Sequence, residues 1–314
     1  MLKLNQLSKT YRVGTFGGKE LHAVNSVNFD INDRELVSLI GESGSGKSTN
    51  GKMILRLISI TSGTILLDGK DITSYKGNSI REYYRKVQGV FQDPFSSFNP
   101  IFKADQMFKT IHDEFYPHVT GQAWTTKLED SLKDVGLNPE HVLNKYPHQL
   151  SGGQLQRFLI ARALLLDIKF LVADEIISML DASTRVDILN LLADLRLRGL
   201  SILFITHDLS LGYYISDKSV ILYCGCVVEK GSTEKIYKNP LHPYTKMLMA
   251  SVPRLDKKWD AADISLHDEI LAPKAGCAFY NRCNLGSRDK DCACNLPILT
   301  EVEPDHFVAC DKLK

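Results

Sequence analysis

Gly41-Glu-Ser-Gly-Ser-Gly-Lys-Ser-Thr49 reads Gly-x-x-x-x-Gly-Lys-Ser, a phosphate-binding loop. An apolar run, Leu36-Val-Ser-Leu-Ile40, precedes it and a helical-looking one, Met53-Ile-Leu-Arg-Leu-Ile58, follows, so the motif sits where a strand passes into a helix. That context suits a polyphosphate, because backbone N–H groups of a turn and helix start surround the anion without side-chain rearrangement. Gly41, Gly44 and Gly46 permit close approach of the backbone, with Ser43 and Ser45 between them. Lys47 puts a cation on the β and γ phosphates, Ser48 offers Mg²⁺ a hydroxyl, and Thr49 supports the helix start. The plain alternative is an ordinary Gly/Ser turn, and the flanking strand and helix argue against it.

The chain has 314 residues, more than one average domain, which predicts one large and one small domain. Lys+Arg 38 against Asp+Glu 37 leaves a net charge of +1, so no broad field attracts nucleic acid or acidic lipid. The opening Met1-Leu-Lys-Leu-Asn-Gln-Leu-Ser lacks the apolar core of a signal peptide. No apolar run approaches the ~20 residues of a membrane span, and the expectation is a soluble cytoplasmic chain. Cysteines are unevenly placed: Cys224 and Cys226, then Cys277, Cys283, Cys292, Cys294 and Cys310. Without an export signal, a terminal cluster reads as a metal or cluster site before a disulfide set.

Alternating apolar and polar residues up to about residue 35, around a turn at Thr15-Phe-Gly-Gly18, predict antiparallel strands. Tyr11 within them is a candidate to stack on adenine, against the alternative of core packing. Ser62–Gly69 predicts a strand ending in an Asp-Gly turn, and Val87–Gln92 another, with Gln92 opening a loop. From Ala104 to Leu150 the pattern turns helical (105–115, 123–135), an insertion in an α/β domain. Ser151 as N-cap followed by Gly152, Gly153 and Gln154 leaves free N–H groups at a helix start over 154–166, a second anion site or simply a capped helix. Phe170-Leu-Val-Ala-Asp-Glu175 is an apolar strand ending in two carboxylates: Asp174 to hold Mg²⁺ through water, Glu175 to orient or deprotonate a water. Solvated loop acids are the alternative for that pair. Ser201–His207 predicts another strand, delivering an imidazole able to reach a γ-phosphate, with a structural histidine as the alternative, and Asp181 opens a helix over 183–196 as a cap or as a contact across an interface.

The order phosphate loop, Gln92, Leu150-Ser-Gly-Gly-Gln154, Asp174-Glu175, Asp181, His207 resembles the ABC-type ATPase cassette. That resemblance implies that Tyr11 stacks on adenine and that Gln92 links Mg²⁺ and nucleotide to a transmembrane partner. It further implies that two cassettes pair head to tail, which gives the surplus anion site at Ser151–Gln154 a phosphate to bind. Phe91–Pro100, Tyr146-Pro-His148, Val172–Glu175, His207–Ser210 and Asn239-Pro-Leu-His-Pro-Tyr-Thr245 resemble the ATP-binding subunits of oligopeptide/dipeptide importers, some of whose relatives carry small oligosaccharides. Gln154 and the Val-Ala-Asp-Glu strand resemble the second of that family's two paired ATPase subunits. The same family has a cysteine tail, matched here by Cys277-Ala-Phe-Tyr-Asn-Arg-Cys283, Cys292, Pro297-Ile-Leu299 and His306-Phe-Val-Ala-Cys310. Two departures stand out: Ile176 replaces the proline that usually follows the glutamate, which frees φ there and loosens the loop, and Asn50 follows the phosphate loop where Thr or Leu is commoner.

The expected fold is therefore α/β: an ABC-type ATPase domain over 1–240 with an antiparallel β-subdomain and a helical subdomain near 95–165, then a small Cys-rich accessory domain over 241–314. Expected cofactors are ATP, Mg²⁺ (Ser48, Gln92, Asp174) and a [4Fe–4S] cluster on Cys277, Cys283, Cys292 and Cys310, with zinc as the alternative metal and Cys294 as the alternative ligand. Expected partners are a second ABC ATPase subunit, a paralogue in a heterodimer, two permease subunits and an extracellular solute-binding protein, with no nucleic acid. The protein is expected at the cytoplasmic face of the membrane, held there by the permeases. Competing readings are a soluble ABC-type ATPase acting on nucleic acid or ribosomes, disfavoured by a single cassette and near-neutral charge, and a redox-responsive module with vestigial hydrolysis.

Overall fold

The computed structural model describes residues 2–14, 18–252, 276–285 and 290–313, in two compact units, Met1–Ser74 with Leu203–Lys314, and Tyr75–Ile202. The first unit opens with β1 (Leu2–Val13) and β2 (Lys19–Ile31), antiparallel from Leu2↔Ile31 to Val13↔Lys19. Apart from Gly18, the turn expected between them lies outside the described residues. β3 (Leu36–Ile40) is buried at all five positions and leads into α1 (Lys47–Ile54). β4 (Ser62–Leu67) pairs with β1 and turns through Asp68 and Gly69, both left-handed (φ 50° and 77°), into β5 (Lys70–Asp71). The resulting antiparallel sheet, in the order β2-β1-β4-β5, buries Leu2, Leu4, Leu7, Val24, Val27 and Ile31.

The second unit is mostly helical. It contains α2 (Asn78–Lys86), β6 (Val87–Val90), α3 (Gln106–Phe115), α4 (Gly121–Asp134), α5 (Pro139–Val142), α6 (Gly152–Leu164), β7 (Phe170–Asp174) and α7 (Ala182–Leu197). β6 and β7 run parallel, Val87↔Phe170 through Val90↔Ala173. Phe158 on α6 is the hub of its core, with ring centroids 4.5 Å from Phe108 and 6.1 Å from Phe98. The expected helical stretch after Ala104 is present, beginning and ending within two residues of the sequence reading.

The chain returns to the first unit through β8 (Ser201–Thr206), α8 (Leu209–Ile215), β9 (Lys218–Tyr223), β10 (Cys226–Ser232), α9 (Thr233–Lys238) and α10 (Pro243–Ala250). After them come α11 (Lys290–Cys294), β11 (Thr300–Glu303) and β12 (His306–Val308). β3 runs parallel to β9, and within this unit the sheet order is β11-β12-β10-β9-β3-β8. The cysteine-bearing end of the chain thus adds two strands to the sheet that carries the phosphate loop, with Glu229↔Val308 in register. Glu229, fully buried, fixes this addition by accepting from the N–H groups of Leu241 and His242 and lying 2.7 Å from His306 Nε2. Among the described residues no helix is long and apolar enough to cross a membrane.

Candidate functional site

The phosphate loop lies at the end of β3, where a fully buried strand must give way to polar backbone. Gly46, the N-cap of α1, is left-handed (φ 96°), and a Cβ there would stand 2.3 Å from the Ala23 carbonyl oxygen, so only glycine fits. Ser45 O accepts from Gly225 N at 2.9 Å, and Gly225 O accepts from Asn25 N at 2.8 Å, so β2 and the β9–β10 turn back the loop. Lys47 is buried, its Nζ donating to the carbonyls of Gly41 and Glu42 at 2.8 Å each. Asn50, the unusual residue after the loop, is also buried and its side chain donates to Gly46 O at 3.0 Å, tightening the first turn of α1. Tyr11 is 37% exposed, which removes the core-packing reading. His207 follows the buried β8 and is exposed.

In the second unit the expected N-cap is in place. Ser151 Oγ accepts from Gln154 N at 3.2 Å and Gln154 Oε1 accepts from Ser151 N at 2.9 Å, a reciprocal capping box that opens α6. Gly152 and Gly153 form its first turn. Asp174 ends β7 buried, and Glu175 beside it is half-buried with a left-handed backbone (φ 51°). Its carbonyl accepts from Ser178 N at 3.1 Å and Ser178 Oγ at 2.9 Å, and Ile176 and Ile177 are buried. The proline-free turn is therefore held by burial and by Ser178, not loosened as expected from the sequence. Asp181 caps α7, and the donors Ser183 Oγ, Thr184 N and Thr184 Oγ1 hold its carboxyl well below the usual carboxylate range. Gln92 is exposed just beyond β6, and buried Gln156 of α6 donates to the carbonyl of Phe91 before it at 3.4 Å. Gln156 went unremarked in the sequence, where it reads only as part of an amphipathic helix.

Three further residues escaped the sequence reading as part of the site. Glu42 N donates to the Tyr244 hydroxyl at 3.0 Å, the Glu42 carboxylate pairs with Arg282 at 3.2 Å, and Gly225 supports Ser45. Tyr244 and Arg282 lie in the two stretches that the family resemblance marks, but nothing local in those stretches says what they touch. Cys277, Cys283, Cys292 and Cys310 line one pocket, beside His242 and Asp311, whereas Cys294 is exposed outside it. Cys277 N donates to Cys292 O at 2.8 Å. Burial chiefly, with a smaller push from the neighbouring Cys283, Cys310 and Cys292 and against a lowering backbone bond from Phe279, raises the Cys277 thiol to about 11. Among the described residues no group of three or more His, Cys, Asp or Glu is placed to hold a single metal ion.

Comparison with known proteins agrees with this arrangement. The family described as "ABC transporter" matches residues 24–178, and the one described as "Oligopeptide/dipeptide transporter, C-terminal region" matches 228–292. A peptide import ATP-binding protein of Brucella ovis is 39% identical over 99% of this chain and 97% of its own length. The oligopeptide transport ATP-binding protein AppF of Bacillus subtilis is 38% identical over 99% of this chain and 96% of its own. Among solved structures, the ATP-binding cassette MJ0796, captured as a dimer in a post-hydrolysis state with ADP and Pi, superposes with a TM-score of 0.67 at 30% identity, over 74% of this chain and 99% of that one. A phosphate loop at a buried strand end, a capped signature helix and a C-terminal extension of the same sheet occur together in one chain, and that chain belongs to the ATP-binding subunits of ABC transporters, of the kind that carries the oligopeptide/dipeptide transporter C-terminal region.

Proposed function

We propose that this ATPase subunit powers import of oligopeptides or dipeptides, or of small oligosaccharides, from the cytoplasmic face of a membrane. The observation that carries the reading is the joint presence of the cassette and the C-terminal region in one chain, matched nearly end to end by AppF. Family membership supports the division into an ATPase domain over 1–240, with its helical part near 95–165, and an accessory domain over 241–314. Residue by residue, the roles carried over are adenine stacking by Tyr11, phosphate binding by Gly41 and Ser43–Thr49, and contact with a partner cassette's nucleotide by Ser151–Gln154. Glu175 positions the attacking water and accepts its proton, while Lys47 and His207 offset charge on the transferring phosphoryl group. Ser48, Gln92 and Asp174 supply the oxygen donors that Mg²⁺ takes, and the ion when bound neutralises phosphate charge. The partners are a paralogous ATPase subunit, two permeases and an extracellular solute-binding protein.

For the tail we propose a [4Fe–4S] cluster on Cys277, Cys283, Cys292 and Cys310, with a structural role. Support comes from the ligand count and from the shared pocket, which excludes Cys294. Zinc on the same thiols is the competing assignment. Two measurements test these readings. In the reconstituted transporter, Glu175→Gln is expected to keep ATP binding and nearly abolish both turnover and peptide accumulation; parental turnover would remove Glu175 from the chemistry. Anaerobic purification should yield iron and sulfide that Cys283→Ser loses, and a colourless protein holding one zinc would overturn the cluster.

A further inference from the structure

Glu42, the second residue of the phosphate loop, is engaged at three of its groups. Its carbonyl accepts from Lys47 within the loop, but its N–H and its carboxylate are taken by residues 202 and 240 positions away, Tyr244 and Arg282. The Tyr244 ring is completely buried, with centroids 4.4 Å from Tyr223 and 5.6 Å from Phe279, so its hydroxyl is an acceptor fixed by the packing around it. Arg282 is similarly confined: its guanidinium lies 5.8 Å from the Tyr223 ring centroid and 5.7 Å from that of Phe279, and it donates to Met247 Sδ at 3.3 Å. Arg282 is 16% exposed and Glu42 42%, which makes the arginine the rigid member of the pair. A carboxylate in a loop that receives a polyphosphate is an adverse charge, and a cation held against it removes most of that penalty.

We propose that Tyr244 and Arg282 are positioning residues for nucleotide binding. Tyr244 fixes the loop's second N–H, and Arg282 neutralises the Glu42 carboxylate, so the C-terminal region sets nucleotide affinity without touching the nucleotide. The proposal rests on the reading of Gly41–Thr49 as the nucleotide loop. It differs from a packing role by its sign with charge: if Arg282 acts only by filling space, the charge on Glu42 is irrelevant to what its removal does.

The test is titration of the full chain with Mg-ATP by calorimetry, with thermal melting to confirm folding. Arg282→Ala should raise Kd about tenfold, and Arg282→Lys, which keeps the cation, less than about threefold. Glu42→Gln introduced into the Arg282→Ala chain should bring Kd back to within about threefold of the parent. Absence of that rescue would overturn the neutralising role. Tyr244→Phe keeps the ring and removes the acceptor, and should raise Kd about three- to fivefold with little change in melting temperature. An unchanged Kd would overturn the hydroxyl's part. Lys47→Ala separates this from the underlying reading: a Kd unmoved by Lys47→Ala means the loop is not the nucleotide site, whereas loss there with an unmoved Arg282→Ala sinks only the positioning claim.

Discussion

The chain contains two glycine-rich helix starts suited to anions, and they are held in place by opposite means. The signature turn is complete in itself, since both bonds of its capping box run between Ser151 and Gln154. The phosphate loop is assembled from outside, with Gly225, Tyr244 and Arg282 reaching it from three separate stretches of chain and Asn25 bracing Gly225 from a fourth. Local sequence therefore determines the first geometry, whereas the second is a property of the folded unit. A mutation far from the signature should leave its turn intact, while the phosphate loop is exposed to changes hundreds of residues away.

The largest test of this contrast is Gly46→Ala. Its left-handed φ and the Ala23 carbonyl 2.3 Å from the added Cβ should cost more than about 3 kcal/mol in denaturant unfolding and abolish nucleotide binding. A loss below about 1 kcal/mol would mean the loop is not rigidly backed. Ser151→Ala should cost about 1 kcal/mol through its helix cap alone and leave the single subunit's nucleotide affinity unchanged. A drop in that affinity would tie the two helix starts together within one chain and break the distinction. Gly152→Ala should alter stability by no more than about 0.5 kcal/mol, because its Cβ would make an ordinary 3.5 Å contact with Leu180.

The smallest effect concerns Asp181, another cap built from neighbours in sequence. Its folded carboxyl is held below the ordinary 3.8, so the stability it lends is present above that pH and is lost as pH falls further. Asp181→Asn, which also caps, should flatten the acid limb of unfolding curves measured between pH 5 and 2 without shifting those at pH 7. If the acid limb persists unchanged, the depressed carboxyl is not what stabilises α7.

What was legible in the sequence follows the same line. The phosphate loop, the N-cap at Ser151, the Asp181 cap and the strand leading to Asp174 and Glu175 are short-range patterns, and the structure has all four, with the Ser151 cap completed to a capping box by Gln154. The support for Glu42 was not legible, because a tyrosine hydroxyl and an arginine reveal their partners only when the chain has folded. β11 and β12 escaped because four and three residues are too few for a period of two to register, and β11 is mostly exposed. At Ile176 the sequence suggested slack, since proline's fixed φ is missing. Burial of Ile176 and Ile177 supplies the restraint instead, a substitution of packing for covalent geometry that no local rule anticipates.

The bonds from Tyr244 and Arg282 to Glu42 also bear on how the subunit is made. They close loops of 202 and 240 residues, so they form late in synthesis and late in folding. At ~5–20 residues per second, the phosphate loop is translated roughly ten to fifty seconds before Arg282. In that interval the nascent chain has the motif that grips phosphate but not the residues that tune it. Chains arrested far enough beyond residue 282 for Arg282 to have emerged should accordingly bind nucleotide more tightly than chains arrested before Tyr244 has emerged. A product truncated between β10 and α10 would retain every nucleotide motif yet lack both residues that hold Glu42, and should bind ATP more weakly than the finished subunit.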